Sequence, residues 1–174
     1  MFRICFISIL LLSMLSFSKP TEKFGFVKTT ILLEDFIEVR RVEKNLAQEK
    51  TLYQKAIQVF KDSLQTKVDS LNKNFAKADE KTRKSMLSFV NNGNQKLDLM
   101  IRNADKKLVE SRERLMAPVY EKINRFIEKY ARKHGYKFIF GTTTGNILYA
   151  DKDADVTNAI IDGLNELYRE VSKK

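Results

Sequence analysis

The sequence predicts an α+β fold in which a small β-body carries a long antiparallel helical hairpin and a C-terminal helix. Residues 34–117 contain no proline and a single glycine, Gly93, and their apolar residues recur with helical spacing. Short runs rich in aromatic and β-branched residues lie on either side of this region, as is typical of strands. Six glycines and two prolines are too few for an all-β sandwich, which needs a turn about every ten residues.

Residues 1–18 have the pattern of a secretory signal peptide. Arg3 supplies a positive charge, and residues 4–17 form an apolar run that is interrupted only by serines. This run is shorter than the roughly 20 residues that span a bilayer. Cleavage near Ser18 removes Cys5, the only cysteine, and lowers the net charge from +10 to +9. We therefore expect an exported protein without a disulfide bond.

The inventory of reactive side chains argues against an enzyme. One histidine and one cysteine cannot form a zinc site, a disulfide framework or a Cys/His catalytic pair. The sequence has no phosphate-binding glycine loop and no serine nucleophile elbow. Asp151, Asp153 and Asp155 resemble the start of a calcium loop, but Val156 occupies the position where that loop needs glycine. We therefore predict no catalytic residue, no metal and no cofactor.

One apolar stripe runs through residues 34–133 and predicts the helical hairpin, which we call the arm. The stripe follows an eleven-residue repeat, about 3.67 residues per turn, which favours a nearly straight or slightly right-handed supercoil. The repeat comprises Val42, Tyr53, Leu64, Phe75, Met86, Leu97, Leu108, Val119 and Tyr130. A stripe this narrow requires a partner helix, and a hairpin lets each half of the arm bury the stripe of the other half.

The position of the turn follows from a gap in the stripe. Just after Phe75, Asp79 and Thr82 occupy positions that are apolar in most other repeats. We therefore place the tip of the arm at residues 76–81, with Asp79 as the N-cap of the second helix. Residues 91–94, Asn-Asn-Gly-Asn, have the stronger turn composition, but the stripe keeps its phase across them. We expect that segment to be a weak point within the second helix.

Residues 19–33 and 134–174 are predicted to form the β-body with its C-terminal helix. The predicted features are strands at Phe24–Val27, Tyr136–Phe140 and Ile147–Ala150, a turn at Gly145-Asn146, and Asp155 or Thr157 as the cap of the last helix. So small a body is marginal by itself and leaves strand edges unpaired, which predicts self-association through the strands. The interface candidates are Phe26, Val27, Ile139, Phe140, Leu148 and Tyr149.

Short motifs at both ends of the chain carry a family resemblance. They are Phe24–Thr29 and Ile31–Glu34 at the start, and Gly135–Phe140, Ile147–Asp151, Asp155–Asn158 and Leu164-Asn165 at the end. Together these motifs resemble the Skp/OmpH-like family of periplasmic chaperones, while the arm matches that family only in character. The resemblance implies a homotrimer in the periplasm, with a trimerising β-body built from the strands of three subunits and three arms around a cavity.

The function that the resemblance implies is that of an ATP-independent holdase, which encloses unfolded outer-membrane β-barrel proteins and prevents their aggregation. Basic residues toward the predicted tip are candidates for contacts with acidic client segments, anionic lipid or lipopolysaccharide. They are Lys67, Lys73, Lys77, Lys81, Arg83 and Lys84. Two other functions stay open, a structural coiled-coil scaffold of the envelope and a cationic binder of lipopolysaccharide. Export and the lack of a basic patch interleaved with aromatic residues argue against nucleic acid as a partner.

Overall fold

The computed structural model describes residues 22–143 and 146–173 of the chain. Its elements are β1 (Lys23–Lys28), α1 (Thr29–Asp35), α2 (Ile37–Phe75), α3 (Glu80–His134), β2 (Tyr136–Thr142) and α4 (Thr157–Val171), with one turn of 3-10 helix at Lys152–Ala154 before α4. The predicted signal peptide and Gly145 of the predicted turn lie outside the described residues. Within the described ranges, none of the helices combines the length and apolar character that crossing a membrane requires.

Helices α2 and α3, of 39 and 55 residues, form an antiparallel hairpin. The chain reverses between Phe75 and Glu80, within the range predicted for the tip. Asp79 caps α3, since its Oδ1 accepts a hydrogen bond at 2.7 Å from the backbone N–H of Thr82. Helix α3 runs unbroken through the asparagine-rich segment and ends before Gly135, whose left-handed conformation, at φ 71°, suits glycine.

The arm buries its stripe fully only near the body. Val42 and Leu46 of α2 and Ala104 of α3 are at most 8% exposed. None of residues 47–103, all of which are described, is buried to that degree. The stripe residues from Tyr53 to Phe75 are half-buried, because a single facing helix covers only part of each side chain. Packing along the arm therefore weakens toward the tip.

Strands β1 and β2 pair in parallel, with Phe26 opposite Phe140, and form the two-stranded sheet of the body. The arm is the crossover between them. The predicted strand at Ile147–Ala150 is not formed, and Leu148 is 97% exposed. A strand needs a neighbour for its ladder hydrogen bonds. Within the described sheet, residues 147–150 do not pair with the outer edge of β2, which stays unpaired, and residues 155–156 occupy the second edge of β1. The strand prediction is therefore wrong for a single chain.

The core lies where the sheet, α1, α4 and the base of the arm meet. Its most deeply buried side chains are those of Phe36, Ile160, Leu164, Val27 and Val119. Phe36 separates α1 from α2, a break that no glycine or proline announces in the sequence. The side-chain amide of Asn165 stabilises this break. It accepts a hydrogen bond from the N–H of Ile37 at 2.9 Å and donates one to the carbonyl of Asp35 at 3.2 Å.

Asp155 connects β1 to the start of α4. Its Oδ1 accepts a hydrogen bond from the backbone N–H of Thr157 at 3.0 Å and another from the hydroxyl of Thr157. Its Oδ2 lies 2.8 Å from Nζ of Lys28. Burial raises the pKa of Asp155, but the hydrogen bonds from Lys28 and Thr157 outweigh burial and hold the pKa below its ordinary value. Asp155, one of the two predicted caps, thus satisfies an amide at the start of α4.

Candidate functional site

The outer side of the sheet exposes three phenylalanines, Phe24, Phe138 and Phe140, which we call the aromatic face. Because side chains alternate along a strand, these rings point away from the core, whereas Val27 and Ile139 point toward it. The ring of Phe138 stacks on those of Phe24 and Phe140, with centroid distances of 5.9 Å in both pairs. The three side chains are 47–56% exposed. Phe24 and Phe138 are missing from the predicted interface, although the alternation along β2 already groups Phe138 with Phe140.

The six predicted interface residues do not form one surface. Val27 is 1% exposed and Ile139 packs against the core cluster. Val27 therefore belongs to the interior of this chain, and the half-buried Ile139 faces it, because their position in the strand turns both side chains inward. The other four lie outside the core cluster: Phe26, Phe140, Leu148 and Tyr149. Only these four stay candidates for contact with another chain.

The segment that follows the sheet is also exposed and apolar. Leu148 and Tyr149 have 97% and 83% of their surfaces exposed. Residues 147–150 border a groove of about 430 Å³, which Phe26 and Ile31 also line. This segment and the aromatic face thus both leave apolar side chains exposed in the body. Exposed apolar surface of this kind is typical of an interaction site.

The predicted basic residues lie along the distal part of the arm, and all have exposed side chains: Lys67, Lys73, Lys77, Lys81, Arg83 and Lys84. Two of them make contacts within the arm. Lys84 Nζ lies 2.9 Å from Glu80 Oε1, and Arg83 Nε donates a hydrogen bond at 2.8 Å to the carbonyl of Ala78. At the turn itself, the hydrogen bonds from Thr82 hold the pKa of the Asp79 carboxyl below its ordinary value. The tip therefore carries a mixed but mainly positive surface.

A groove of about 770 Å³ lies between α2 and α3 in the distal half of the arm, and we call it the arm groove. Its apolar members are Phe60, Leu64 and Phe89, its cations are Lys67 and Lys96, and Gly93 lies among them. The Nζ of Lys96 lies 5.1 Å from the ring centroid of Phe60. A Cβ atom at Gly93 would lie 2.4 Å from Cδ1 of Leu64, so glycine permits this close approach of the helices. Of these residues only Lys67 is a predicted contact, since Phe89 and Lys96 resemble ordinary surface residues in sequence.

Within residues 22–143 and 146–173, no three His, Cys, Asp or Glu side chains form a cluster that could hold a metal ion. Three aspartates resemble a calcium loop in sequence, but a 3-10 turn at Lys152–Ala154 lies between Asp151 and Asp155 and contains Asp153. Of these, Asp155 binds Lys28 and Thr157. Its carboxylate therefore has a structural role at the start of α4.

Comparison with known proteins identifies the family. The model of the family described as outer membrane protein (OmpH-like) matches residues 23–164. No curated protein matches the chain in sequence. The crystal structure of a protein from Caulobacter crescentus CB15, described as an OmpH-like outer membrane chaperone, is similar with a TM-score of 0.74 and 9% identity, over 87% of this chain and 89% of that chain. This likeness confirms the predicted fold class, and because the family model covers most of the sequence, the chain belongs to the OmpH-like family, as its terminal motifs predicted.

Proposed function

We propose that this chain is an ATP-independent periplasmic holdase, which works as a homotrimer and protects unfolded outer-membrane β-barrel proteins from aggregation. Family membership supports the general role, and a similar fold occurs in a protein described as an outer membrane chaperone. The observation that carries the proposal is the aromatic face, which one chain by itself leaves in water at the base of a long arm.

The trimer is supported by the surfaces that a single body leaves open. Three stacked phenylalanines are about half exposed, and the segment at residues 147–150 has no strand partner within the described chain. Burial of such surface is a strong driving force for association, at about 25 cal/mol per Å² of apolar area. A closed ring of copies also covers the outer edge of β2, which is unpaired in the described sheet. Three bodies joined in this way carry three arms around one cavity.

The mechanism follows from the chemistry of the client. A β-barrel protein exposes alternating apolar side chains and unpaired strand edges until it closes, and in that state it aggregates. A cavity between arms encloses the client through many weak contacts, which sum to a useful affinity while each one breaks easily. The basic residues of the distal arm attract acidic client segments, and their effect on the association rate falls with salt. No ATP is required, because release needs only the loss of weak contacts.

The test is suppression of aggregation. A urea-denatured outer-membrane β-barrel protein is diluted into buffer with the mature protein, and light scattering is recorded against an equal mass of serum albumin. We expect the mature protein to suppress scattering, with a modest loss at high salt. Absence of suppression contradicts the holdase function and favours an envelope scaffold. Complete loss of binding at moderate salt, for clients and lipopolysaccharide alike, favours a cationic binder instead.

The mass of the protein recovered from the periplasm tests export and cleavage near Ser18.

A further inference from the structure

We propose that the arm groove is a binding subsite for a segment of unfolded client chain in which an aromatic side chain lies close to a carboxylate. This inference rests on the proposed holdase function and assigns one contact site to it. The groove is formed within a single arm, between α2 and α3, so its composition does not depend on how several arms are arranged.

The floor of the groove favours an aromatic side chain. Phe60 and Leu64 are half-buried, and Phe89 is 42% exposed although it lies beside the packed stripe. An aromatic ring that enters between Phe60 and Phe89 removes apolar surface of all three rings from water. The volume of about 770 Å³ lies within the range of about 300–1,000 Å³ that is common for ligand sites.

The charges beside the floor favour a carboxylate. Lys67 approaches from α2 and Lys96 from α3, and none of the described residues that line the groove is acidic. Within the described part of the chain, neither lysine forms a salt bridge. Lys96 is held over the ring of Phe60, which keeps its cation at the apolar floor. Two unneutralised cations beside aromatic rings are complementary to an aromatic residue with an acidic neighbour.

The polar atoms of the groove favour a peptide over a lipid chain. Ser63 and Ser70 of α2 and Asn92 of α3 also line it. Their hydroxyl and amide groups can donate to and accept from the backbone of an extended peptide. An acyl chain in the same place would cover these groups without offering hydrogen bonds, which costs free energy. We therefore commit to a client peptide as the occupant.

The test compares two labelled peptides that bind to the mature full-length protein, measured by fluorescence anisotropy at low salt. The first peptide carries the pattern Phe-Ser-Asp, which places both recognised side chains on one side of an extended chain. The second has Lys in place of Asp. We expect the first peptide to bind about tenfold more tightly, because Lys67 and Lys96 attract its carboxylate and repel the ammonium group of the second peptide. The double variant Lys67→Glu/Lys96→Glu should abolish this preference, and Phe89→Ser should weaken the binding of both peptides.

The matched control is Lys61→Glu/Lys107→Glu, which makes the same change of charge at exposed positions of the same two helices outside the groove. It should keep the preference for the acidic peptide. Equal loss in the two double variants overturns the subsite, as does unchanged binding in Phe89→Ser with native helical content by circular dichroism. Tighter binding of dodecanoate or of anionic phospholipid vesicles, with the same dependence on Lys67 and Lys96, overturns the choice of a peptide.

A parallel scattering assay separates this inference from the holdase function. Wild-type protein that suppresses aggregation of a β-barrel client but shows no peptide preference overturns the subsite and leaves the holdase function standing. Wild-type protein that fails to suppress aggregation overturns the holdase function. In that case the assignment of the arm groove as a client site is also overturned, whatever the peptide-binding measurements show.

Discussion

At the scale of single residues, Asp155 shows how one carboxylate holds together segments that are far apart in sequence. It pairs with Lys28 at the end of β1 and accepts hydrogen bonds from Thr157 at the start of α4. The hydroxyl of Thr157 also accepts a hydrogen bond from the N–H of Lys28 at 2.9 Å. Asp155 is three-quarters buried, so these contacts are partly shielded from water, although Lys28 is half exposed.

This geometry predicts a dependence of stability on pH. Because the folded-state pKa of Asp155 is lowered, its contribution is fully present above the unfolded value of about 3.9 and is lost as the pH falls through the folded value. The variant Asp155→Asn should lower the free energy of unfolding by about 1 kcal/mol near neutral pH, and the difference from wild type should shrink in acid. Urea unfolding at a series of pH values measures this. Asp153→Asn is the control, and an equal loss in both variants contradicts the assigned role.

At the scale of secondary-structure elements, the arm is a hairpin whose packing decreases from body to tip. Leu46 is 8% exposed and belongs to the core cluster, whereas Leu64 lies on the same stripe but is only half-buried. Near the body, a salt bridge also connects the two helices, with Nη2 of Arg112 at 2.6 Å from Oε1 of Glu43. Local opening is therefore easier in the distal arm, where fewer side chains are withdrawn from water.

We expect the arm to show a gradient of local stability. Leu46→Ala should lower the free energy of unfolding by about 2–4 kcal/mol, because it leaves a cavity in the core. Leu64→Ala should cost about 1 kcal/mol, because less apolar surface is lost. Hydrogen exchange should be slower in α2 around Val42 than around Leu64, and both variants can be compared by urea unfolding. Uniform protection along α2, or equal costs for the two variants, would contradict the gradient.

At the scale of the whole molecule, the proposed trimer explains why the body leaves its aromatic face open. The body is small, with two strands and the helices α1 and α4, and its exposed rings stack on one another along the sheet. A ring that already contacts its neighbours loses less rotamer freedom on binding than an isolated side chain does. The contacts between α2 and α3 in the arm, in contrast, lie within one chain and do not require another copy.

This difference predicts that assembly and helical structure can be separated. Phe140→Lys should dissociate the oligomer, since it places a charge on the aromatic face, and helical content by circular dichroism should persist. Phe140 is a better position than Ile139, because Ile139 packs against the core of its own chain. Leu99→Lys is the control, at a position that is 52% exposed on the arm. Sedimentation equilibrium measures the mass, and an unchanged trimer in Phe140→Lys would refute the interface.

The parts of this protein that the sequence by itself determined are those with a long repeated pattern or a local rule. The eleven-residue stripe predicts both helices of the arm, and its gap after Phe75 lies at the observed turn. Gly135 ends α3 because the backbone there takes the left-handed conformation, at φ 71°, which suits glycine. The terminal motifs were sufficient to predict the family, and the family model confirms this prediction.

Only the tertiary structure decided which side chains are covered. The helix break at Phe36 depends on a hydrogen-bonding amide from Asn165, more than a hundred residues away in sequence. The segment at residues 147–150 has strand composition but forms no strand, because it pairs with neither strand of the described sheet. Alternation along β1 separates the two sides of the sheet, but the elements that pack against one side decide that Val27 is a core residue. The position of Phe89 in a groove likewise depends on how α2 and α3 meet. Burial depends on contacts between distant segments, whereas helix periodicity and capping depend on neighbours in the chain.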